Sequence, residues 1–561
     1  MKYRRIILSL LVLLFAAVVI IFGCEVNPDG SKKSVLVSAG GANPPVISSV
    51  TASPAAIDAS TSCVVGEGNT TDVVCQASDA DGDTLTYAWS AEEGLFSFTS
   101  GSSVTWLAPT AAGVYTISCQ VSDGTTTVTG SVDVAVGTAV VTTTSTTTTT
   151  FPTVIQKNGE ASDDLFGHVV ASAGDVNNDG YPDFIVGAPD ADPDSNISAG
   201  SAYVYSGNGG AQLFKKNGAA AGDLFGLSAA SAGDVNGDGY ADFIVGAYYA
   251  SPDGKSNAGS AYVYSGQNGN LLYQKDGEAA GDCLGFSVAG VGDVNKDGYD
   301  DFIVGAYVAD PDGRMNAGSA YVYSGLNGNE LYQKDGENWS DYFGQSVAGA
   351  GDVNKDGYPD FIVGADWADP GGRGAAGSVY VYSGLNGNLL YQKDGEAASD
   401  YFGYSVASAG DVNNDGYDDF IIGARGADLG GSLSGSAYVY SGLNGQELYQ
   451  KDGAAAGDWL GWSVAGAGDV DNDGYDDFII GAPSADPGGK TGAGSAYIYS
   501  GQTGNLIEQK DGLTYYDDFG FSVSSAGDVD GDGKADVLIG ARDANPPGLG
   551  QVGSVYLYIT Q

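Results

Sequence analysis

Histidine is almost missing from this chain: of 561 residues, only His168 is one. A multi-histidine metal centre is therefore excluded within one chain, and a serine–histidine–aspartate triad is disfavoured. Basic residues are scarce too. Lys and Arg number 22 against 70 Asp and Glu, a formal net charge of −48. A surface so acidic repels phosphate backbones, which argues against nucleic-acid binding. No apolar run after residue 22 approaches the length that spans a bilayer. Helical periodicity is absent throughout. Glycine, in contrast, is abundant: 89 residues, about 16 %, roughly double the ordinary share. With 43 % hydrophobic residues in regular patterns, the chain is too apolar to be disordered.

The N-terminus reads as a targeting segment over residues 1–24. Lys2, Arg4 and Arg5 precede an apolar run from Ile6 to Phe22, and Gly23-Cys24 follows. A cysteine directly after a small residue resembles a bacterial lipobox, with Ile21 and Gly23 in place and Phe22 bulkier than usual. The resemblance implies lipidation of Cys24; an uncleaved anchor and ordinary cleavage are the alternatives. All three place the remainder outside the cytoplasm, membrane-anchored at the cell surface, outer membrane or periplasm in the first two. The sequence ends at Gln561 after an apparent strand, so no C-terminal anchor is expected.

Residues 25–43 form a polar spacer, and 138–152 hold a Thr-rich tract (VTTTSTTTTT) that suits an extended stalk. Between them, 44–137 carry short alternating runs separated by turn signals, the pattern of a β-sandwich. Cys75 and Cys119 flank Trp89, and DADGDTLTYAWS, TWLAP and GVYTISC resemble PKD and related Ig-like modules. In an oxidising compartment a Cys75–Cys119 disulfide is expected, with Cys63 an alternative partner for Cys75 across a hairpin. Cys283 is expected to be a lone thiol. Asp79, Asp81 and Asp83 read as a polar turn, with a cation site the alternative.

Residues 153–561 repeat. The segment DVNNDGYPDFIVGA recurs seven times, its first Asp at 175, 234, 293, 352, 411, 469 and 528. So constant a period means one supersecondary unit per repeat. Each unit reads as four strands: an SVASAG-type strand, a buried FIVGA run, GSAYVYSG and LYQKDG. Seven four-stranded units predict an all-β, seven-bladed propeller. Phe-Gly before the loop and Gly-Ala-Pro after it resemble the FG-GAP repeat of the integrin α-subunit propeller. Phe166-Gly167 with Gly187-Ala188-Pro189 carry the full signature, and five repeats keep Phe-Gly. The last repeat lacks its LYQKDG strand, whereas 153–159 (TVIQKNG) match it. Residues 153–158 are therefore expected to close the last blade and hide its edges.

The Asp-rich segment predicts a cation loop. D-x-[ND]-x-D-G-Y-x-D sets side-chain oxygens at positions 1, 3, 5 and 9, a carbonyl at 7 and a turn-permitting Gly at 6. Hard oxygen ligands suit Ca²⁺, with about seven structural sites expected. The first set is Asp175, Asn177, Asp179, Tyr181 (through its carbonyl) and Asp183. The next two are Asp234, Asn236, Asp238, Tyr240, Asp242 and Asp293, Asn295, Asp297, Tyr299, Asp301. Then come Asp352, Asn354, Asp356, Tyr358, Asp360 and Asp411, Asn413, Asp415, Tyr417, Asp419. The last two are Asp469, Asp471, Asp473, Tyr475, Asp477 and Asp528, Asp530, Asp532, Lys534, Asp536. Position 12 is Val or Ile rather than Glu, so these are not EF-hands. Metal-free, the clustered carboxylates would repel one another.

Function is expected where the repeats differ. In integrins the loops after Gly-Ala lie opposite the calcium loops and carry the ligand. Aromatic and Arg residues are the usual anchors of recognition. Here the candidates are Tyr248, Tyr249, Tyr307, Trp367, Arg425 and Arg542, with Trp339 and Trp459 from the loops before Phe-Gly or Leu-Gly. No catalytic constellation stands outside the repeat frame, and no GxSxG or HExxH motif occurs. His168 occupies the position of Leu227, Phe286, Gln345, Tyr404, Trp462 and Phe521, a routine strand site. The expectation is a non-catalytic, lipid-anchored surface protein binding an extracellular protein or glycan. A propeller-based lyase or hydrolase and a ligand-free spacer are the alternatives.

Overall fold

The computed structural model describes residues 154–560 without a break. Before them it describes 25–26, 32–33, 46–53, 63–66, 70–78, 84–91, 93–96, 100–109, 113–123 and 127–137. The chain divides into two units, Met1–Thr150 and Phe151–Gln561. The leader with Cys24, most of the spacer, the turn with Asp79, Asp81 and Asp83, and the Thr-rich tract lie outside the described residues. Among the described residues no helix is long and apolar enough to cross a membrane.

The first unit holds two four-stranded sheets. One orders Val46–Ser53, Thr70–Ser78, Ser103–Leu107 and Leu95–Phe96; the other orders Cys63–Gly66, Thr127–Gly137, Gly113–Ser122 and Thr86–Ala91. Alternation sends Val104 and Trp106 inward, where they join Val73, Trp89, Ile117 and Val121. Both indoles find acceptors: Trp89 Nε1 donates to Gly101 O at 2.8 Å and Trp106 Nε1 to Glu93 O at 3.1 Å.

The expected disulfide is corrected here. Cys75 and Cys119 come together in this core, both buried, but as free thiols hydrogen-bonded to each other. That contact and burial push the Cys119 thiol up, so it stays protonated. The Cys63–Cys75 alternative loses its hairpin, because Cys63–Gly66 and Thr70–Ser78 belong to different sheets. Cys283 is a buried lone thiol, pushed up to about 11 by desolvation and hence unreactive.

The second unit is a seven-bladed propeller. Blade 1 pairs Val169–Gly174, Asp183–Ala188, Ser201–Tyr205 and Gln212–Asn217 in antiparallel order, and blades 2 to 6 repeat it. The first strand of each blade packs on the first strand of the next, and that of blade 7 on that of blade 1, so the ring closes. Blade 7 takes its outer strand from the start of the unit. Val154–Asn158 pairs antiparallel with Ser554–Tyr558, Ile155 opposite Leu557.

The core sits between blades. Asp183–Ala188 is buried at every position because both faces are covered, which is why its sequence is a continuous apolar run. Phe184 and Val186 pack toward blade 7 with Leu538 and Leu557, while Ile185 packs toward blade 2 with Phe243 and Val245. The Phe-Gly and Gly-Ala signatures mark where neighbours meet backbone to backbone. A Cβ on Gly187 would lie 1.9 Å from Gly226 O, and Gly226 itself has φ +89°.

Candidate functional site

The first two strands of a blade form a hairpin, with Gly174 opposite Asp183 and Val169 opposite Gly187. The acidic loop closes one end of it, and residues 168 and 189 flank the other. Each blade therefore presents an acidic turn on one face and a variable cluster on the opposite face.

On the acidic face the loops share one wiring. The position-1 carboxylate accepts N–H groups from positions 5 and 6: Asp175 from Asp179 at 3.0 Å and Gly180 at 2.8 Å. The position-5 carboxylate accepts from position 7, Asp179 from Tyr181 at 3.0 Å. The pattern holds in the other six loops. It includes the seventh, where Lys534 N donates to Asp532 at 2.9 Å, so Lys in place of Tyr leaves the turn unchanged.

Position 9 has a task that spacing did not reveal. Asp183 is 0 % exposed and bonds at both oxygens, to Val176 N at 2.9 Å and Gly207 N at 3.1 Å. It thereby ties the loop to the end of the third strand. Its counterparts in the other six blades are also fully buried, and all seven are pushed up to about 7. Burial is the main cause, and repulsion from neighbouring loop aspartates adds to it.

The donor set fits a hard cation. Ligand atoms of Asp469, Asp471 and Asp477, and of Asp528, Asp530 and Asp536, lie within 4.8 Å of one another. Asn177 Oδ1 is buried without a partner in the first loop. In three loops the position-3 amide departs from the expected ligand role. Asn236, Asn354 and Asn413 turn Nδ2, not Oδ1, toward Asp242, Asp360 and Asp419.

The opposite face carries an aromatic belt. Tyr249 meets Tyr248 at 3.9 Å between ring centroids, Tyr248 meets Phe286 at 5.3 Å, and Phe286 meets Tyr307 at 4.2 Å. The belt continues through Tyr342, Trp367 and Tyr401. There the Arg425 guanidinium lies 4.8 Å from Tyr401, 4.2 Å from Tyr404 and 5.1 Å from Trp462. Trp462 contacts Trp459 and Phe521, and Phe521 meets His168 at 4.9 Å and Arg542 at 3.7 Å. Arg542 is also paired with Asp518 at 3.2 Å.

Seven of the eight sequence-selected anchors thus share this belt; Trp339 is 66 % exposed and outside it. Tyr307, Trp367 and Arg425 line one cavity of about 310 Å³ together with Phe286, Tyr342, Gln345, Asp366 and Tyr404. Sequence reasoning missed these last five. The signal was present: the position of His168, treated as routine, reads His, Leu, Phe, Gln, Tyr, Trp, Phe around the ring while its neighbours hardly change. His168 is half-buried, and desolvation with the nearby Arg542 charge lowers it to about 3, so it is neutral. Asp366 is 2 % exposed and pushed up to about 7 by burial, with Arg425 opposing.

Comparison with known proteins matches this architecture. The FG-GAP repeat family matches residues 166–205, 225–264, 284–323, 343–382, 402–440, 460–499 and 519–558, and the bacterial Ig domain family matches 43–135. Integrin alpha-5 of Xenopus laevis is 36 % identical over 224 residues, 36 % of this chain and 20 % of that protein. Integrin alpha-V of Gallus gallus is 35 % identical over 225 residues, again 36 % and 20 %. The chain therefore spans about a fifth of the length of these relatives. The solved structure of rhamnogalacturonan lyase YesW aligns over 89 % of this chain and 88 % of its own at a TM-score of 0.37 and 13 % identity.

Proposed function

This chain is an integrin α-like FG-GAP propeller protein with an N-terminal Ig-like domain, and from that premise we propose that it is an exported, lipid-anchored surface protein. It binds an extracellular ligand without transforming it. The Thr-rich tract and Ig-like unit serve as the spacer from the membrane, with Cys24 as the anchor point. Cys75 and Cys119, already in contact, would bond on oxidation.

The seven acidic loops hold Ca²⁺ through positions 1, 3, 5 and 9 and the position-7 carbonyl. When bound, the cation supplies the positive charge that the buried position-9 carboxylates otherwise lack. The chain's own share is the backbone wiring of positions 1, 5 and 9, which fixes the turn between first and second strands.

The observation that carries ligand binding is the contrast between faces: an acidic face that hardly varies from repeat to repeat, and an opposite face on which aromatic and arginine side chains concentrate at the positions that vary. The test is to present the full chain, in calcium and in chelator, to arrays of glycans and extracellular proteins. The reading expects calcium-dependent capture of an unaltered ligand. Capture of nothing would leave a spacer, and release of a cleaved product would make it an enzyme.

A further inference from the structure

Among the described residues, eight buried side-chain polar atoms have no hydrogen-bond partner, and they are not scattered. Three of them, Gln345 Oε1, Asp366 Oδ1 and Arg425 Nε, belong to side chains that line the belt cavity. A buried polar atom left unmet costs about 1–3 kcal/mol, so three in one place ask for a common partner. Two are acceptors, or a donor where Asp366 keeps its proton, and one is a donor. Around them Tyr307, Trp367 and Tyr404 line the same cavity, the Tyr404 ring already covered by Arg425 at 4.2 Å. Trp367 is 46 % exposed and Asp366 is 2 % exposed, so the cavity runs from an open aromatic rim to a buried polar floor.

We propose that this cavity, between blades 3, 4 and 5, is a binding site for a neutral saccharide unit. The proposal rests on the ligand-binding reading above and specifies its site and chemistry. A sugar ring offers what the cavity lacks. Its hydroxyls donate and accept at once, which suits Gln345, Asp366 and Arg425 together. Its C–H face suits the Trp367 indole and the Tyr307 ring. A cavity of about 310 Å³ is at the small end of ligand sites, of room for one ring with its substituents.

Charge argues against the competing small ligands. A cation would meet the Arg425 guanidinium, which already occupies the aromatic faces of Tyr401, Tyr404 and Trp462. An anion would enter a protein of net charge −48. A neutral polyol meets neither penalty.

The test uses the full chain in calcium-containing buffer, titrated with methyl glycosides of neutral hexoses and N-acetylhexosamines. Hexuronates and tetramethylammonium serve as comparators. Binding is read by saturation-transfer NMR and tryptophan fluorescence. The expected result is that a neutral glycoside binds, that Trp367→Ala and Gln345→Leu each weaken it at least tenfold, and that Trp339→Ala does not. Thermal melting of each variant shows that the propeller is intact. Binding of no neutral glycoside, affinity unchanged in both cavity variants, or preference for tetramethylammonium would overturn the proposal. An array ligand whose capture survives both cavity substitutions would overturn the site while leaving ligand binding standing. If no ligand of any class is captured, both fail.

Discussion

A carboxyl group without solvent needs either a compensating charge or a proton, and Asp366 has only part of the first. Burial pushes it up to about 7 with Arg425 working against the shift. A raised carboxyl favours the fold only while protonated. Its contribution is complete below the unfolded value near 4 and is lost as pH rises toward 7. Asp366→Asn should therefore melt with the parent near pH 4. It should be more stable above pH 7, by as much as roughly 4 kcal/mol. A pH series of denaturant melts of both proteins checks this; a constant difference across pH would contradict it. Asp366 was invisible in the sequence for a plain reason: one more acid in a chain of 70 carries no signal until its burial is known. Trp367 and Arg425 were legible because they break the Gly, Pro and Asp monotony of their loops. Gln345, just before the strand Ser346–Gly351, and Tyr404, within Phe402–Gly410, stood at a position where variation reads as noise.

At the scale of the element, the loop aspartates separate two kinds of work. Asp293 at position 1 only folds its own turn, accepting Asp297 N and Gly298 N. Asp301 at position 9 also accepts Val294 N and Gly325 N in the interior. In chelator, Asp301→Ala should cost about 1–3 kcal/mol because it orphans the buried Gly325 N–H and takes from Val294 N one of its two acceptors, the other being Gly292 O, whereas Asp293→Ala should cost under about 1. In calcium both should lose one bound ion. Urea melts with and without chelator distinguish the two; equal costs in chelator would contradict the assignment. The closing strand makes a second case. Ile155 is 7 % exposed and packs among blade 1 and blade 7 residues. Ile155→Ala should cost about 2–4 kcal/mol in a denaturant melt, although it lies some 400 residues from its pairing partner Leu557. A cost near zero would mean that the ring holds without its closure.

For the whole molecule, fold class was legible because the sequence states it seven times. Strand, acidic turn, buried strand and outer pair recur at a period of 58 or 59, and period alone excludes a conventional two-layer domain. The odd TVIQKNG at the start of the unit was legible as a displaced copy of a missing strand. What the repeats could not carry was their own differences. A belt that runs from Tyr249 to His168 is assembled from residues far apart in sequence, and it emerges only when seven hairpin ends are brought onto one face. The cysteine pair was legible as neighbours in a sandwich core, whereas its standing there as two hydrogen-bonded thiols was not, because the spacing of Cys75 and Cys119 is the same for either redox form.

The central claim is that seven acidic turns are cation sites built into the ring. It is tested most directly by calorimetric calcium titration of the full chain, paired with its melting curve in calcium and in chelator. The account predicts about seven Ca²⁺ per chain and a melting temperature that falls by ten degrees or more on chelation, on the order of several kcal/mol of linked stability. Little or no calcium uptake, with melting unchanged by chelator, would contradict it, and the buried aspartates would then stand as protonated staples alone.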